Sequence, residues 1–429
     1  MSGSPAPGAA AGGIAVRGLR VTYVLGSASG GTARHAGMLA EGCRRGGLAV
    51  TVLGPASSRA AFAAGAASLS DEAGATSQPG APADSGPRGG IAFQAVEIAD
   101  RPRPARDAAA VARLRRRLAE IGPDVVHAHG LRAGAFSALA LLLSRRARRP
   151  ALVVTIHNAP PRGRVARTVY AFLETTCARR ADAVLCASAD LAASMRRLGA
   201  THAAEFDVPA PAAPPPSAQQ VARARADIGP AGRPVILAAG RLAEQKGLDT
   251  LLAAATRWQQ REPVPLLAIA GEGPLAAELI ATARRTGVDL VLLGQRDDVP
   301  ALLAAADVVV VPSRWEARAL IVQEAMRAGR PIVASRVGGI PDLTGVDAAI
   351  LVPPGDADQL ATAVLAVLDD RDLAAGLSAS ARARARTLPT PADAVTAVVA
   401  VYQGLAGQRR PQATQSRPAP LSGRKRPGD

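Results

Sequence analysis

Two glutamates eight positions apart, Glu316 and Glu324, stand where a short apolar run, Val308-Val-Val-Val-Pro312, gives way to a segment of helical character. A carboxylate at a strand-to-helix turn and a second one further along that helix can point into one crevice. There they can accept hydrogen bonds from the hydroxyls of a bound sugar or ribose. Upstream, Arg241 and Lys246 occupy Gly240-Arg-Leu-Ala-Glu-Gln-Lys-Gly247, which also follows an apolar strand and opens a helix. A guanidinium can bind two oxygens of a diphosphate at once, and an ammonium adds a compact point charge. Such charges help most where negative charge grows on a departing group. Taken singly, each pattern also describes ordinary solvated charges on an amphipathic helix. The flanking β-run, Trp315, the Gly338-Gly339 turn and the position of Lys246 as the only lysine before Lys425 favour a site. Together they point to an enzyme that handles a nucleotide-activated sugar.

The elements that must position these residues alternate regularly. Strands are predicted at 19–25, 48–53, 91–98, 124–127, 152–155 and 183–187, with helices between them. Short apolar strands separated by helices are the mark of a parallel sheet covered on both faces. A second alternation begins at 234–238 and continues through 266–270, 290–293, 308–311, 331–334 and 349–352. The predicted organisation is a disordered tail at 1–17, a first domain at 18–208, a proline-rich linker at 209–232 and a second domain at 233–388. A final helix at 389–407 and a disordered basic tail at 408–429 follow. Within the first domain, 55–90 is rich in Ala, Gly, Ser and Pro and reads as a mobile excursion. The fold class is therefore α/β, with two doubly wound, Rossmann-like domains. Their ligand crevice should lie between them, at the carboxyl ends of the strands.

Composition narrows the alternatives. A chain of 429 residues exceeds one typical core. The formal charge of +16 is almost entirely arginine, in a sequence saturated with alanine, glycine and proline, and aromatic residues make up only 2%. That leaves too few stacking platforms for single-stranded nucleic acid, so no nucleic-acid partner is expected. Cys43, Cys177 and Cys186 are odd in number and widely spaced, which favours a reducing compartment over a disulfide framework or a zinc site. No apolar stretch has membrane-span or signal-peptide character, and a cytoplasmic protein is expected.

At this point the residues resemble a known family. From about 233 to 354 the chain is similar to the donor-binding half of glycosyltransferase family 4, whose members are retaining enzymes of the GT-B fold. The matching stretches are Gly240-Arg-Leu-Ala-Glu-Gln-Lys-Gly-Leu-Asp249, Gly271-Glu-Gly-Pro274, Ala306-Asp-Val-Val-Val-Val-Pro-Ser313, Glu316 to Ala325 and Val337-Gly-Gly-Ile-Pro-Asp342. The first half matches more weakly, through Gly30-Gly31, Pro123-Asp-Val-Val-His-Ala-His129 and Ala181-Asp-Ala-Val-Leu-Cys-Ala-Ser188. The resemblance implies that Arg241 and Lys246 hold the donor diphosphate, Glu316 contacts the transferred sugar and Glu324 the ribose. It implies that backbone N–H groups near Leu320 and Ile321, and Gly31 in the first domain, face the donor, and that the Arg296 loop lies near the base. His129 is implied as an acceptor-side residue, with His157 as a second candidate. The last helix is implied to cross back to the first domain.

The chain also departs from the family pattern. Ala317-Arg318-Ala319 replaces a common Gly-Phe-Gly after the first glutamate, and Arg318 could reach an anionic group or face solvent. The segment 206–216 replaces a frequent Asn-Gly-Val-Asp at the domain junction. Gly26–Gly31 lacks the dinucleotide fingerprint, so NAD is not expected. Asp356-Ala-Asp358 spells a metal motif of a different fold but reads here as a helix N-cap, and no metal or other cofactor is expected. The expected reaction is retaining transfer from a nucleoside-diphosphate sugar to an acceptor hydroxyl, in lipid-linked, cell-envelope or secondary-metabolite glycoside synthesis. Alternatives are a GT-B epimerase or hydrolase of nucleotide-sugars, or a binding or scaffold protein without turnover. The basic clusters at 113–117 and 145–149 read as solvated helix faces or as attraction to anionic lipid at the inner face of the cell membrane.

Overall fold

The computed structural model describes residues 18–26, 30–76, 90–99, 102–144, 149–157, 164–211 and 214–408. The first domain is built on β1 (Arg20–Leu25), β2 (Ala49–Gly54), β3 (Ala92–Ala95), β4 (Val125–His129), β5 (Ala151–Ile156), β6 (Ala183–Cys186) and β7 (Ala203–Glu205). These form one parallel sheet in the order β3-β2-β1-β4-β5-β6-β7. The second is built on β8 (Val235–Ala239), β9 (Leu266–Ala270), β10 (Leu290–Gly294), β11 (Val308–Val311), β12 (Ile332–Ser335) and β13 (Ile350–Val352). Its parallel order is β10-β9-β8-β11-β12-β13. Both sheets reverse their winding beside the first strand, between β1 and β4 and between β8 and β11. In open α/β sheets this is where ligands bind, because adjacent strand ends lead into helices on opposite faces and leave a gap.

The central strands are buried along their whole length, as the uninterrupted valines of Val308–Val311 and the apolar run Ala151–Ile156 require. Each sheet carries an apolar core on both faces.

Two stretches differ from their sequence reading. Residues 55–76, assigned to a mobile excursion, form a short 3-10 turn at Ala56–Ser58 and the helix Arg59–Thr76. The cause is glycine contact with the helix Gly30–Arg45. A Cβ at Gly65 would lie 1.8 Å from the Arg34 carbonyl oxygen, and one at Gly37 would lie 2.0 Å from that of Phe62. The two helices thus meet backbone to backbone, with Phe62 buried between them and the first sheet. What composition suggested was low complexity is a close-packing surface. The remainder of that excursion, 77–89, lies outside the described residues, as do residues 1–17, 145–148 and 409–429.

The linker 209–232 likewise contains a helix, Ala218–Ile228. A capping box starts it: Gln220 N donates to Ser217 Oγ at 3.3 Å, and Ser217 N donates to Gln220 Oε1 at 2.7 Å. Ala224 and Ile228 then enter the core of the second domain. The Ser217-x-x-Gln220 signature was present in the sequence but masked by the prolines before it.

The last helix, Pro391–Gln408, packs on the first domain. Ala394, Val398 and Tyr402 join Val21, Tyr23 and Leu39 in one core. Gly42 gives it room, since a Cβ there would come within 2.3 Å of Val395 Cγ2. Asp356 caps the helix Ala357–Asp369, its Oδ1 accepting from the N–H of Asp358 at 3.1 Å and Gln359 at 2.9 Å.

Candidate active site

The site is assembled at the two sheet reversals, where the domains face each other. A cavity of about 270 Å³ is lined by Gly31, Thr32 and His157 of the first domain and by Gly240, Lys246, Glu316, Arg318, Leu320 and Ile321 of the second, among others. Residues that follow four strands, β1, β5, β8 and β11, thus converge on one space. Arg241 and Lys246 share an adjoining recess with Ser313. A larger depression of about 860 Å³ lies at the opposite ends of the second-domain strands, near Arg233, Glu262 and Asp289, and shares none of these residues.

The Lys246 and Glu316 loops are fixed to each other. Lys246 Nζ donates to Glu316 Oε1, and that same oxygen accepts from Ser313 Oγ at 2.8 Å. Backbone bonds knit the loops further: Arg314 N donates to Gln245 O at 2.8 Å, and Gln245 Nε2 to Trp315 O at 2.8 Å. Gly247 must be glycine, because its φ is +62° and a Cβ would lie 2.1 Å from the Pro312 carbonyl oxygen. Gly338 holds the other side of the Glu316 loop, with φ +49° and only 1.7 Å between a built Cβ and Glu316 O. The Gly338-Gly339 turn therefore supports the back of this loop.

Arg241 is exposed beside this pair, and among the described residues its guanidinium has no ion-pair partner. An unpaired guanidinium next to an ammonium suits a multiply charged anion. The helix Leu320–Arg327 begins at the cavity wall, and Leu320 and Glu324 lie one turn apart on one face. Glu324 is half-buried, and burial holds its carboxyl above the usual range, opposed by Arg327 and Arg34. Arg296 does not belong to this group. Its guanidinium is held by Asp298 at 2.6 Å and Asp227 at 2.8 Å, and it is not among the residues that line the cavity.

The histidines are arranged differently from their sequence ranking. His157 lies on the cavity wall, whereas His129 sits one layer behind it at 1% exposure. His129 Nδ1 and His157 Nε2 share a hydrogen bond of 3.1 Å, with rings stacked 5.4 Å apart. Deeper still, His127 is bonded through Nε2 to Thr155 Oγ1 at 2.6 Å and through Nδ1 to the hydroxyl of Tyr402. Because Tyr402 donates onward to Tyr23 at 3.0 Å, neutral His127 carries its proton on Nδ1 and accepts at Nε2. The final helix thus anchors the histidine layer from the far side.

Sequence reasoning missed His35, which completes this layer at 5.4 Å from the His157 ring and 6.1 Å from that of His129. Its signal was spacing: it falls one helical turn after Gly31. Burial lowers the pKa of all four histidines, to about 3 for His127 and about 4 for His157. They are neutral near pH 7. Among the described residues no His, Cys, Asp or Glu cluster is arranged to hold a metal ion.

Two facing parallel α/β domains, with a polar crevice at both sheet reversals and a last helix returning to the first domain, define a GT-B glycosyltransferase. The family model described as Glycosyltransferase Family 4 matches residues 29–208, and that described as Glycosyl transferases group 1 matches 233–370. A glycogen synthase of Mycobacterium tuberculosis is 33% identical over 308 residues, covering 68% of this chain and 71% of that protein. The sulfoquinovosyl transferase SQD2 of Arabidopsis thaliana is 30% identical over 275 residues, or 59% of this chain, and the match spans 52% of that relative. Among solved structures, Anabaena HepE in complex with UDP and glucose superposes with a TM-score of 0.70 at 20% identity, covering 89% of this chain and 99% of its own. The chain belongs to glycosyltransferase family 4.

Proposed function

We propose that the protein moves a sugar from a nucleoside-diphosphate donor to an acceptor hydroxyl with retention of anomeric configuration. The observation that carries this reading is the convergence of Arg241, the Lys246–Glu316 pair and the start of the helix Leu320–Arg327 on one interdomain crevice. The complex of HepE with UDP and glucose supports placing a donor in the matching crevice.

In this reading Arg241 and Lys246 bind the diphosphate and stabilise the charge that grows on it as the anomeric C–O bond breaks. The N–H groups of Leu320 and Ile321, at a helix start, and that of Gly31 face the same oxygens. Glu316 accepts from a hydroxyl of the transferred sugar, and Glu324 from the ribose. Arg296, already tied to two aspartates, shapes the loop near the base rather than offering a free charge. The acceptor oxygen attacks the face the diphosphate leaves, and its proton passes to a departing phosphate oxygen, so no protein base is needed. His157 orients the acceptor, and His129 fixes His157. No resident metal or other cofactor enters this scheme.

Nucleotide release is the direct test. A panel of UDP-, GDP- and ADP-sugars, each with and without candidate acceptors, should give release that depends on acceptor and a product whose anomeric configuration matches the donor by NMR. Release of free epimerised or hydrolysed sugar without acceptor would identify the isomerase or hydrolase alternative. Tight binding with no release under any condition would identify a scaffold.

Anionic lipid is the peripheral partner we propose. Among the described residues no helix is long and apolar enough to cross a membrane. The helices Pro104–Ile121, Leu131–Leu142 and Arg164–Arg180 share one side of the first domain. Their exposed residues include Leu143 at 57% and Phe172 at 61% exposure, and Arg113, Arg115 and Arg116. Exposed apolar side chains and cations on one set of helices suit an anionic interface. The free, buried cysteines fit a cytoplasmic location at the inner face of the cell membrane. Flotation with phosphatidylglycerol liposomes, and none with neutral ones, is the expected result; equal behaviour with both would remove the lipid from this picture.

A further inference from the structure

Arg318 occupies the loop between Glu316 and the helix Leu320–Arg327, flanked by Ala317 and Ala319, which are each 2% exposed. The sequence left two roles open for it, an anion receptor or a solvated side chain, and its surroundings fit neither. Its side chain is 9% exposed and lines the crevice. One terminal nitrogen donates to Glu205 Oε1 at 3.3 Å, and the other to Asp207 Oδ1. With both terminal nitrogens taken by carboxylates, the group carries a net negative charge and repels an anionic ligand rather than attracting one.

Glu205 ends β7, and Asp207 lies in the segment that leaves the first domain just after it. The same segment is held further along by the helix Leu320–Arg327. Gln323 Nε2 donates to Val208 O at 2.9 Å, and its Oε1 accepts from Ala210 N at 2.9 Å. Arg327 donates to the carbonyls of Ala210 at 2.8 Å and Pro211 at 2.9 Å. Gln323 is 1% exposed, so these bonds are made out of water. One loop and one helix therefore present their crevice side to the ligand and their other side to the chain that joins the domains. Trp315, Ala317 and Leu320 of the same loop and helix pack on the core of the first domain.

We propose that Arg318 is a positioning residue, a clasp that fastens the Glu316 loop to Glu205 and Asp207 and so fixes the place of Glu316 in the crevice. The inference rests on the reading of Glu316 and the helix start as donor-binding groups. Physically, a guanidinium fork held by two carboxylates fixes direction as well as distance. A loop so fixed keeps Glu316 within the few tenths of an ångström that reaction geometry requires. Because the pairs are only partly screened, moderate salt should weaken the clasp without removing it.

The test compares Arg318→Met, Arg318→Lys, Asp207→Asn and the double variant Arg318→Met/Asp207→Asn in the full chain. In steady-state transfer, the methionine and asparagine variants should each lower kcat by about ten- to a hundredfold. Kd for UDP or GDP, read by calorimetry, should change by less than about threefold, and Arg318→Lys should recover part of kcat. The double variant should be no slower than the worse single one, as expected of residues acting as a unit. Losses that multiply in the double variant would overturn the clasp. So would an Arg318→Met protein with lower thermal stability but unchanged kcat. Loss of nucleotide binding in Arg318→Met alone would make Arg318 a direct ligand instead. Hydrogen exchange across 314–321 reads the clasp with no substrate: exchange should rise in Asp207→Asn, and unchanged protection would refute the inference even for a wild type that turns over no nucleotide-sugar. A wild type that turns over no nucleotide-sugar would by itself tell against the donor-site reading and leave the clasp standing.

Discussion

Replacing Lys246 with alanine is expected to lower kcat/KM by about 10²- to 10³-fold, equivalent to about 3–4 kcal/mol of transition-state stabilisation. Two effects act together. The first is loss of a cation where, in the proposed mechanism, a diphosphate departs. The second concerns Glu316, whose Oε1 is bonded to Lys246 Nζ and Ser313 Oγ and whose side chain is 8% exposed. Without the ammonium that carboxylate keeps only a hydroxyl partner, and a buried charge losing its counter-ion is more costly than the pair was worth. Its negative charge would also face the donor's own phosphates. A second substitution separates the two effects. Lys246→Ala/Glu316→Gln should regain the lost thermal stability, because the orphaned charge is gone, while activity stays low. Wild-type kinetics in Lys246→Ala would remove this residue from the donor site. A low Tm that the glutamine does not restore would show that the loop, and not the charge, had failed.

Mild acid should destabilise this protein far more than its carboxylates alone would allow. Four of its five histidines, His35, His127, His129 and His157, sit in one layer. Their other close neighbours are Tyr23, Tyr402, Thr155 and Phe206, none of them anionic. Burial depresses each pKa, and the rings would repel one another if charged. In the unfolded chain they titrate near their ordinary value of about 6.5. The sign follows directly: between that value and the folded ones, the unfolded state binds more protons, so stability rises with pH. The contribution is complete above about pH 6.5 and is lost as pH falls toward about 4, the value for His157. Each group contributes about 1.4 kcal/mol per pH unit within that window, so the four together give a slope of several kcal/mol per unit. The structural carboxylates whose pKa is lowered, such as Glu41 between Arg44 and Arg45, add their loss only at lower pH. Tm measured from pH 8 to 4.5 should therefore fall steeply below about pH 6. His127→Gln should flatten that slope even if its starting Tm is lower. A Tm that stays level between pH 7 and 5 would mean that the layer opens to water and charges freely.

The same layer explains how a last helix from the far end of the chain bears on the crevice. Tyr402 bonds to His127, the His127 ring lies tilted at 4.3 Å from that of His129, and His129 holds His157 at the wall. A contact near residue 400 is thus tied, ring by ring, to the surface where we place the acceptor.

What the sequence determined by itself was whatever local pattern encodes. The apolar runs at Val308–Val311 and Ala151–Ile156 had to be buried strands, and their alternation with helices left two open parallel sheets as the answer. Gly240 to Gly247 and Glu316 to Glu324 were recognisable because a strand end, a turn and a helix start lie within a few residues of one another. Tertiary structure decided which of these charges meet. Lys246 finds Glu316 across 70 residues, and Arg318 finds Asp207 across 111. It also decided that His157 reaches the wall and His129 does not, that His35 joins them, and that Arg296 is spent on Asp227 and Asp298. The helix Arg59–Thr76 belongs to the same class, since its alanines and glycines acquire meaning only against the backbone at Gly37. The physical reason is common to all of them. Periodicity and turn chemistry act over a few residues, whereas an ion pair, a buried ring or a glycine contact depends on how closely separate elements approach, and the chain folds before that distance exists.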